Sequence, residues 1–260
     1  MIDNIDLSKY KRFFAFGCSF TGYWWPTWAD VLAKDMPQAE FYNMGYCGAG
    51  NLMISNRIYE ANLKLKFNKD DLVIVMWSTF CREDRYINNR WECPGNIFTQ
   101  QVYSENFVKK FADPKGYLIR DLSLISYTKC FLESLKCDSI TLLSVPLNFQ
   151  NEDNEVDSII KSYSSTFETV PKPMLDLEFN GTWGTSGVSY IFQGKPMWDY
   201  HPSPIRYRNY LEKIGFKLSL TSKIFAENST QNMSKAKSKE ELVSLFGNNG
   251  HGDAHFSQWW

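Results

Sequence analysis

The chain has 260 residues, 43% of them hydrophobic, enough for one large α/β domain or two small ones. Its 28 basic and 29 acidic residues leave a net charge of −1, which argues against a general nucleic-acid binder, whose domain carries a clear basic excess. No apolar run approaches the roughly eighteen residues needed to cross a bilayer, no basic start runs into an apolar stretch as in a secretory signal, and the six cysteines form no close CxxC pair. Together these predict a cytoplasmic protein with reduced thiols and no membrane partner, with export by another route, as in a virus particle, left open.

The first element is the run Arg12-Phe13-Phe14-Ala15-Phe16, a buried strand that breaks into Gly17-Cys18-Ser19-Phe20-Thr21. A helix is expected over about 25–35, ahead of Pro37. Ser19 would therefore lie at the carboxyl end of a strand, where open α/β sheets bind ligands, and near the N-terminus of a helix, where free N–H groups favour developing negative charge. The segment reads equally as a nucleophile turn or as a plain βα turn with a capping serine. A second strand, 40–44, opens into the glycine-rich turn Gly45 to Asn51, and a helix follows to about 65. Asp71 to Trp77, apolar on both faces, is the clearest strand, as expected at the centre of a parallel sheet. The order β-turn-α, β-turn-α, β implies a doubly wound sheet with right-handed crossovers, its turns converging on one edge.

Residues 80–115, with Arg82, Arg85, Arg90, Trp91 and Pro94, interrupt this rhythm and read as an insertion beside that edge. A helix over about 116–136 and a strand over 139–145 resume it. Beyond Pro146 the pattern weakens: one helix is expected around 155–166 and a weak strand near 188–192. Then Asp199-Tyr200-His201-Pro202 precedes a helix expected over 203–226. Asp199 and Ser203 would serve equally well as helix caps. A polar linker (228–239), a short helix (about 239–246) and the tail to Trp260 complete the chain. His251 and His255 stand at i,i+4, a metal-ligand spacing on a helix, but the glycines around them argue against one.

Taken in order, Gly17-Cys18-Ser19 after strand one, Asn43-x-Gly45-x-x-Gly48 after strand two, a polar turn after strand three and Asp199-x-His201-Pro202 before the last long helix resemble the SGNH (GDSL-like) hydrolase superfamily over residues 12–226. The resemblance implies a three-layer α/β/α sandwich with a flavodoxin-like parallel sheet. It implies Ser19 as nucleophile, His201 as base, Asp199 as acid and Gly48 as an oxyanion donor, with no metal or other cofactor. Two positions depart from the family pattern. The acid usually stands three residues before the histidine, where this chain has Trp198, so either Asp199 or a backbone carbonyl orients the base. The asparagine after strand three is missing, and Ser78 or Thr79 stands in its place, with Asn51 and Asn148 as other donors. His255, in Asp253-Ala254-His255, is a rival base.

The reading is a 1–226 hydrolase domain with an insertion at 80–115, and a 227–260 extension that packs on the domain or on a partner. Its leading function is hydrolysis of an acyl ester, acetyl foremost, on a small or carbohydrate substrate. Aromatics make up 16% of the chain, and flat amphipathic rings suit sugar faces as well as a core. Arg82 in the insertion would meet an anionic group. The rivals are an O-acyltransferase using the same site, a binding or structural module that keeps only the fold, and, last, a flavodoxin-like nucleotide binder, for which no GxGxxG or P-loop is present. The oligomeric state is not legible.

Overall fold

The computed structural model describes residues 2, 5–99, 103–147, 154–179, 188–192 and 195–246. The chain builds β1 (Arg12–Gly17), α1 (Trp28–Ala33), β2 (Glu40–Gly45), α2 (Asn51–Leu65) and β3 (Asp71–Trp77). A hairpin follows, β4 (Arg82–Ile87) and β5 (Arg90–Asn96), then α3 (Glu105–Phe111), α4 (Pro114–Ser134) and β6 (Asp138–Leu143). The last third holds α5 (Asn154–Ser162), α6 (Ser164–Phe167), α7 (Met174–Phe179), a second hairpin of β7 (Val188–Phe192) and β8 (Lys195–Asp199), then α8 (Pro204–Ile214), α9 (Leu220–Lys235) and α10 (Lys239–Phe246).

The main sheet is parallel, in the order β2-β1-β3-β6. With helices on both faces this is the flavodoxin-like α/β/α sandwich. α1, α8 and α9 pack together, and α2 packs with α4. Alternation along β1 sends side chains both ways: Phe13 meets Trp28 of α1, while Phe14 stacks on Tyr42 and meets Phe67. β3 is buried along its whole length, the reason its sequence is an unbroken apolar run. Each large side chain so buried contributes about 1.5–3 kcal/mol. At the amino edge Arg12 donates to both oxygens of buried Asp71, at 2.7 and 2.6 Å, and to the Leu65 carbonyl at 2.9 Å, tying β1, β3 and the end of α2 together.

Several expectations change. α1 begins at Trp28, so a loop of ten residues separates it from β1. Pro26 disfavours helical backbone at Trp25, and the Asp30 carboxylate accepts the Thr27 N–H at 2.8 Å to start the helix there. Ser19 is therefore not at the helix N-terminus. The single helix expected over 203–226 is two helices, parted where Gly215 closes α8 in a left-handed conformation (φ +114°). α9 then runs through residue 226 and most of the expected linker. The insertion is a hairpin plus α3, with Asn88 and Asn89 both at positive φ in the tight turn. α7 and β8 were not expected. No helix among the described residues is long and apolar enough to cross a membrane. All six cysteines are free thiols.

Candidate active site

The site begins with the turn after β1. The Thr21 and Gly22 N–H groups both donate to the Cys18 carbonyl, at 2.9 and 3.1 Å, which curls the backbone around Ser19. Thr21, fully buried, is the hub of this turn. Its carbonyl accepts from Thr27 Oγ1 at 2.6 Å and from Asn43 Nδ2 at 2.8 Å, and its hydroxyl accepts from Trp28 Nε1 at 3.2 Å. Gly22 lies back to back with Gly45: a Cβ on Gly45 would sit 2.2 Å from the Gly22 nitrogen. The Ser19 turn is thus seated directly on the turn that follows β2.

β8 ends at Asp199, and the chain then swings into His201-Pro202 at the head of α8. His201 Nε2 lies 2.7 Å from Ser19 Oγ, and His201 Nδ1 lies 2.6 Å from Asp199 Oδ1. The same Asp199 oxygen accepts the His201 backbone N–H at 2.8 Å. A separation of two residues, one shorter than the family pattern, therefore closes a small ring in which the carboxylate fixes both the backbone and the imidazole of His201. Burial pushes the Asp199 carboxyl up, but hydrogen bonding and charge from His201, with a hydrogen bond from Tyr23, outweigh it and leave it below the ordinary carboxylate range. An ionised Asp199 accepts only. Nδ1 must then carry the imidazole proton, and Nε2 is the acceptor facing Ser19.

Sequence reasoning missed the surroundings of His201. Tyr23 stacks on the imidazole with ring centroids 3.8 Å apart, and its hydroxyl donates to Asp199 Oδ2. Phe20 and Trp25 meet the imidazole edge-on at 5.5 and 6.4 Å. Trp25 Nε1 donates to the Pro202 carbonyl at 2.8 Å. The available signal was Gly22-Tyr23-Trp24-Trp25-Pro26, an aromatic run closed by a proline. Its last two residues were read as the start of a helix, and the whole run is loop.

The remaining candidates sit at the ends of the flanking strands. Gly17 of β1 is level with Gly45 of β2 and Met76 of β3, so Gly48 and Ser78 lie just past the strand ends on either side of Ser19. None of the described hydrogen bonds joins them to the Ser19–His201–Asp199 line. Gly48 has φ +82°, and a Cβ there would sit 2.3 Å from the Cys93 carbonyl of the hairpin, so only glycine fits. Ser78 is 5% exposed, and its hydroxyl has no partner among the described residues. Thr79 is half-buried.

Asn51 has a different task from the one expected. Its Oδ1 accepts the Ser78 N–H at 2.9 Å, while Nδ2 donates to the Ser78 carbonyl and to Asp121 Oδ2, each at 3.2 Å. Both amide hydrogens are committed, so Asn51 is not an oxyanion donor; it fixes the backbone of Ser78. Arg82 likewise turns back on the glycine turn, with NH1 donating to the Ala49 carbonyl at 3.0 Å. Its neighbour Asp84 accepts the N–H groups of Gly50 at 2.8 Å and Met53 at 2.9 Å, capping α2 from the hairpin. The expectations for Asn148, His251 and His255 lie outside the described residues.

What the fold and this edge define together is a parallel α/β sandwich carrying a hydrogen-bonded serine–histidine–carboxylate line on two loops. No family model matches the chain, and no curated protein matches it. Among solved structures it is similar to Axe2, an acetylxylan esterase from Geobacillus stearothermophilus, at 14% identity and a TM-score of 0.48, over 82% of this chain and 98% of that one. A mutant of Axe2, described as an acetyl-xylooligosaccharide esterase, gives 15% identity and a TM-score of 0.45 over the same shares.

Proposed function

We propose that the chain is a serine esterase that hydrolyses an acyl ester, acetyl foremost, on a small or carbohydrate substrate. The observation that carries this reading is the line from Ser19 Oγ to His201 Nε2 (2.7 Å) and from His201 Nδ1 to Asp199 Oδ1 (2.6 Å). A nucleophile beside a base that a third group orients is the recurring arrangement of acyl transfer.

In the proposed reaction Ser19 Oγ attacks the ester carbonyl carbon while Nε2 takes its proton. Asp199, held ionised, stabilises the imidazolium that results. The N–H groups of Ser19 and Gly48, neither with a partner among the described hydrogen bonds, and the free Ser78 hydroxyl supply the oxyanion contacts. The imidazolium returns its proton to the leaving alkoxide, which departs as the alcohol. Water, deprotonated by the same nitrogen, then attacks the acyl carbon; the bond from that carbon to Ser19 Oγ breaks, Oγ takes the proton back from Nε2, and the acid leaves. No step calls for a metal or a cofactor. The preference for a carbohydrate ester rests on the aromatic content of the chain and on the aromatic hairpin, where Tyr86 is exposed beside Trp91.

The test is turnover of p-nitrophenyl acetate by the wild type, Ser19→Ala and His201→Ala, run beside labelling with a fluorophosphonate. Labelling of the wild type at Ser19 and loss of turnover in both variants are expected. A wild type that neither turns over the ester nor takes the label overturns the reading. A sugar acceptor added to the assay shows whether the acyl group passes to water or to a hydroxyl.

A further inference from the structure

Four residues after Ser19 the same loop returns to the other end of the line. Tyr23 covers one face of the His201 imidazole and donates its hydroxyl to the Asp199 oxygen that His201 does not use. Two residues further, Trp25 holds the Pro202 carbonyl. The loop that carries the nucleophile is therefore also bolted to the loop that carries the base, at a side-chain and a backbone position.

This aromatic segment has its own support. Tyr23 and Trp25 form a buried cluster with Met233 of α9 and Leu242 of α10, and Cys47, Ala236 and Phe246 pack against it. Trp25 is 1% exposed and Leu242 0%. The helices beyond residue 226 thus cover the outer side of the rings whose inner side faces His201.

We propose that Tyr23 is a positioning residue for His201 and Asp199, and that α9 and α10 hold it in place as a buttress for the catalytic base. The proposal rests on the serine esterase reading above. Three hydrogen bonds converge on Asp199: the His201 backbone N–H, Nδ1–H and the Tyr23 hydroxyl. The first two hold the carboxylate by Oδ1 alone and leave Oδ2 unpartnered in a buried setting. The Tyr23 hydroxyl fixes its rotation and so the direction in which Nε2 points. It also withdraws charge from the carboxylate. Without it the Asp199 carboxyl would lose one of the hydrogen bonds that hold it below the ordinary carboxylate range and would take up a proton at a higher pH.

The experiment uses the full chain with Tyr23→Phe, which keeps the ring on His201 and removes only the hydroxyl. Its kcat for p-nitrophenyl acetate is expected to fall roughly tenfold, with KM within about a factor of two, as for loss of one hydrogen bond to a charged group. The acid limb of the kcat profile, as Asp199 protonates, should move to higher pH. In an Asp199→Asn background the same change should cost little, because the bonded charge is already gone. Leu242→Ala, which loosens the packing behind Tyr23, should lower kcat in the same direction. A tyrosine that only fills space would leave the acid limb in place while lowering the melting temperature, and that result overturns the proposal. If Tyr23→Phe unfolds, Trp25→Phe, which loses the Pro202 bond and part of the indole packing against Tyr23 and His201, must still lower kcat; full activity there overturns it as well. A wild type that is inert towards both ester and fluorophosphonate removes the esterase reading, and the proposal with it. Normal labelling with unshifted Tyr23→Phe behaviour removes the proposal alone.

Discussion

Two walls of the site are made from different materials. On the His201 side the contacts are aromatic: Tyr23, Phe20 and Trp25 surround one imidazole, and the charge of Asp199 meets three donors. On the side of β3 and the hairpin the contacts are ionic. Arg120 donates to Asp121 at 2.7 Å and to the Arg82 carbonyl at 2.9 Å, Tyr117 donates to Glu83, and Asn51 links Asp121 to Ser78. Rings exclude water and leave the polar atoms of a short line to meet one another. The ionic wall fixes backbone, and at its end it leaves one buried hydroxyl, that of Ser78, without a partner. A buried unpaired hydroxyl destabilises the folded state. Tyr207, Tyr210 and Ser222 have unpartnered buried hydroxyls too, so it is the place of Ser78, just past β3 and one strand over from the Ser19 turn, that makes it the oxyanion donor of the proposed reaction.

The largest effect should come from the aromatic wall. Asp199→Ala removes the group that fixes the tautomer and direction of His201, and kcat should fall on the order of 10³- to 10⁴-fold. Folding should survive, because Tyr23 and Trp25 remain packed against α9 and α10. Kinetics beside a melting curve check both halves. A drop below tenfold would mean that a backbone group orients the imidazole.

Ser78→Ala sharpens the contrast. Loss of one oxyanion donor should lower kcat roughly 10²- to 10³-fold with KM little changed. Stability should hold or rise, because an unsatisfied buried hydroxyl is deleted. Unchanged kcat would pass the oxyanion role to Thr79 or to backbone N–H groups alone.

The two walls also differ in how far the sequence disclosed them. The parallel sheet was legible because β1 and β3 are apolar runs that end in turn residues, and period and punctuation survive without any tertiary information. Ser19, Asp199 and His201 were legible as residues that the order of elements would bring to one sheet edge, where they meet. The geometry of Asp199 was not, because an Asx-type bond from its carboxylate to the His201 N–H is a property of the turn and not of spacing. Residues 25–27 were misread as helix because Trp25 continues the stripe of Trp28, Val31 and Leu32, while Trp25 in fact packs between His201 and α10. The polar roles were reversed for the same reason. Asn51 and Arg82 were expected to face substrate, yet each meets a backbone carbonyl that only the folded hairpin and strand end bring within reach.

Smaller effects belong to the ionic wall. Asp84 accepts two N–H groups at the start of α2 from a different element, so Asp84→Ala should undo a helix cap and the docking of the hairpin at once. A loss of about 1–3 kcal/mol is expected in urea unfolding. Activity should fall as well, since the hairpin carbonyl of Cys93 rests on Gly48. Stability lost with full activity would show that the hairpin does not shape the oxyanion turn.

The smallest effect is a change of slope with pH. Burial raises the Asp121 carboxyl, the Arg120 charge and the hydrogen bonds from Arg120 and Asn51 offset part of this, and the outcome is a value of about 6 against an ordinary 3.8. A carboxyl raised by folding binds its proton more tightly in the native state. Its contribution to stability is complete below 3.8 and is lost as the pH climbs through about 6. Asp121→Asn cannot ionise, so its stability relative to the wild type should rise steadily across that window and level off above it. The absolute offset between the two proteins depends on how Arg120 finds a new partner, but the slope does not. Chemical unfolding at a series of pH values reads the slope directly. A difference that stays flat would mean that Arg120 keeps Asp121 ionised throughout, so that the ionic wall, like the aromatic one, holds its charge fixed.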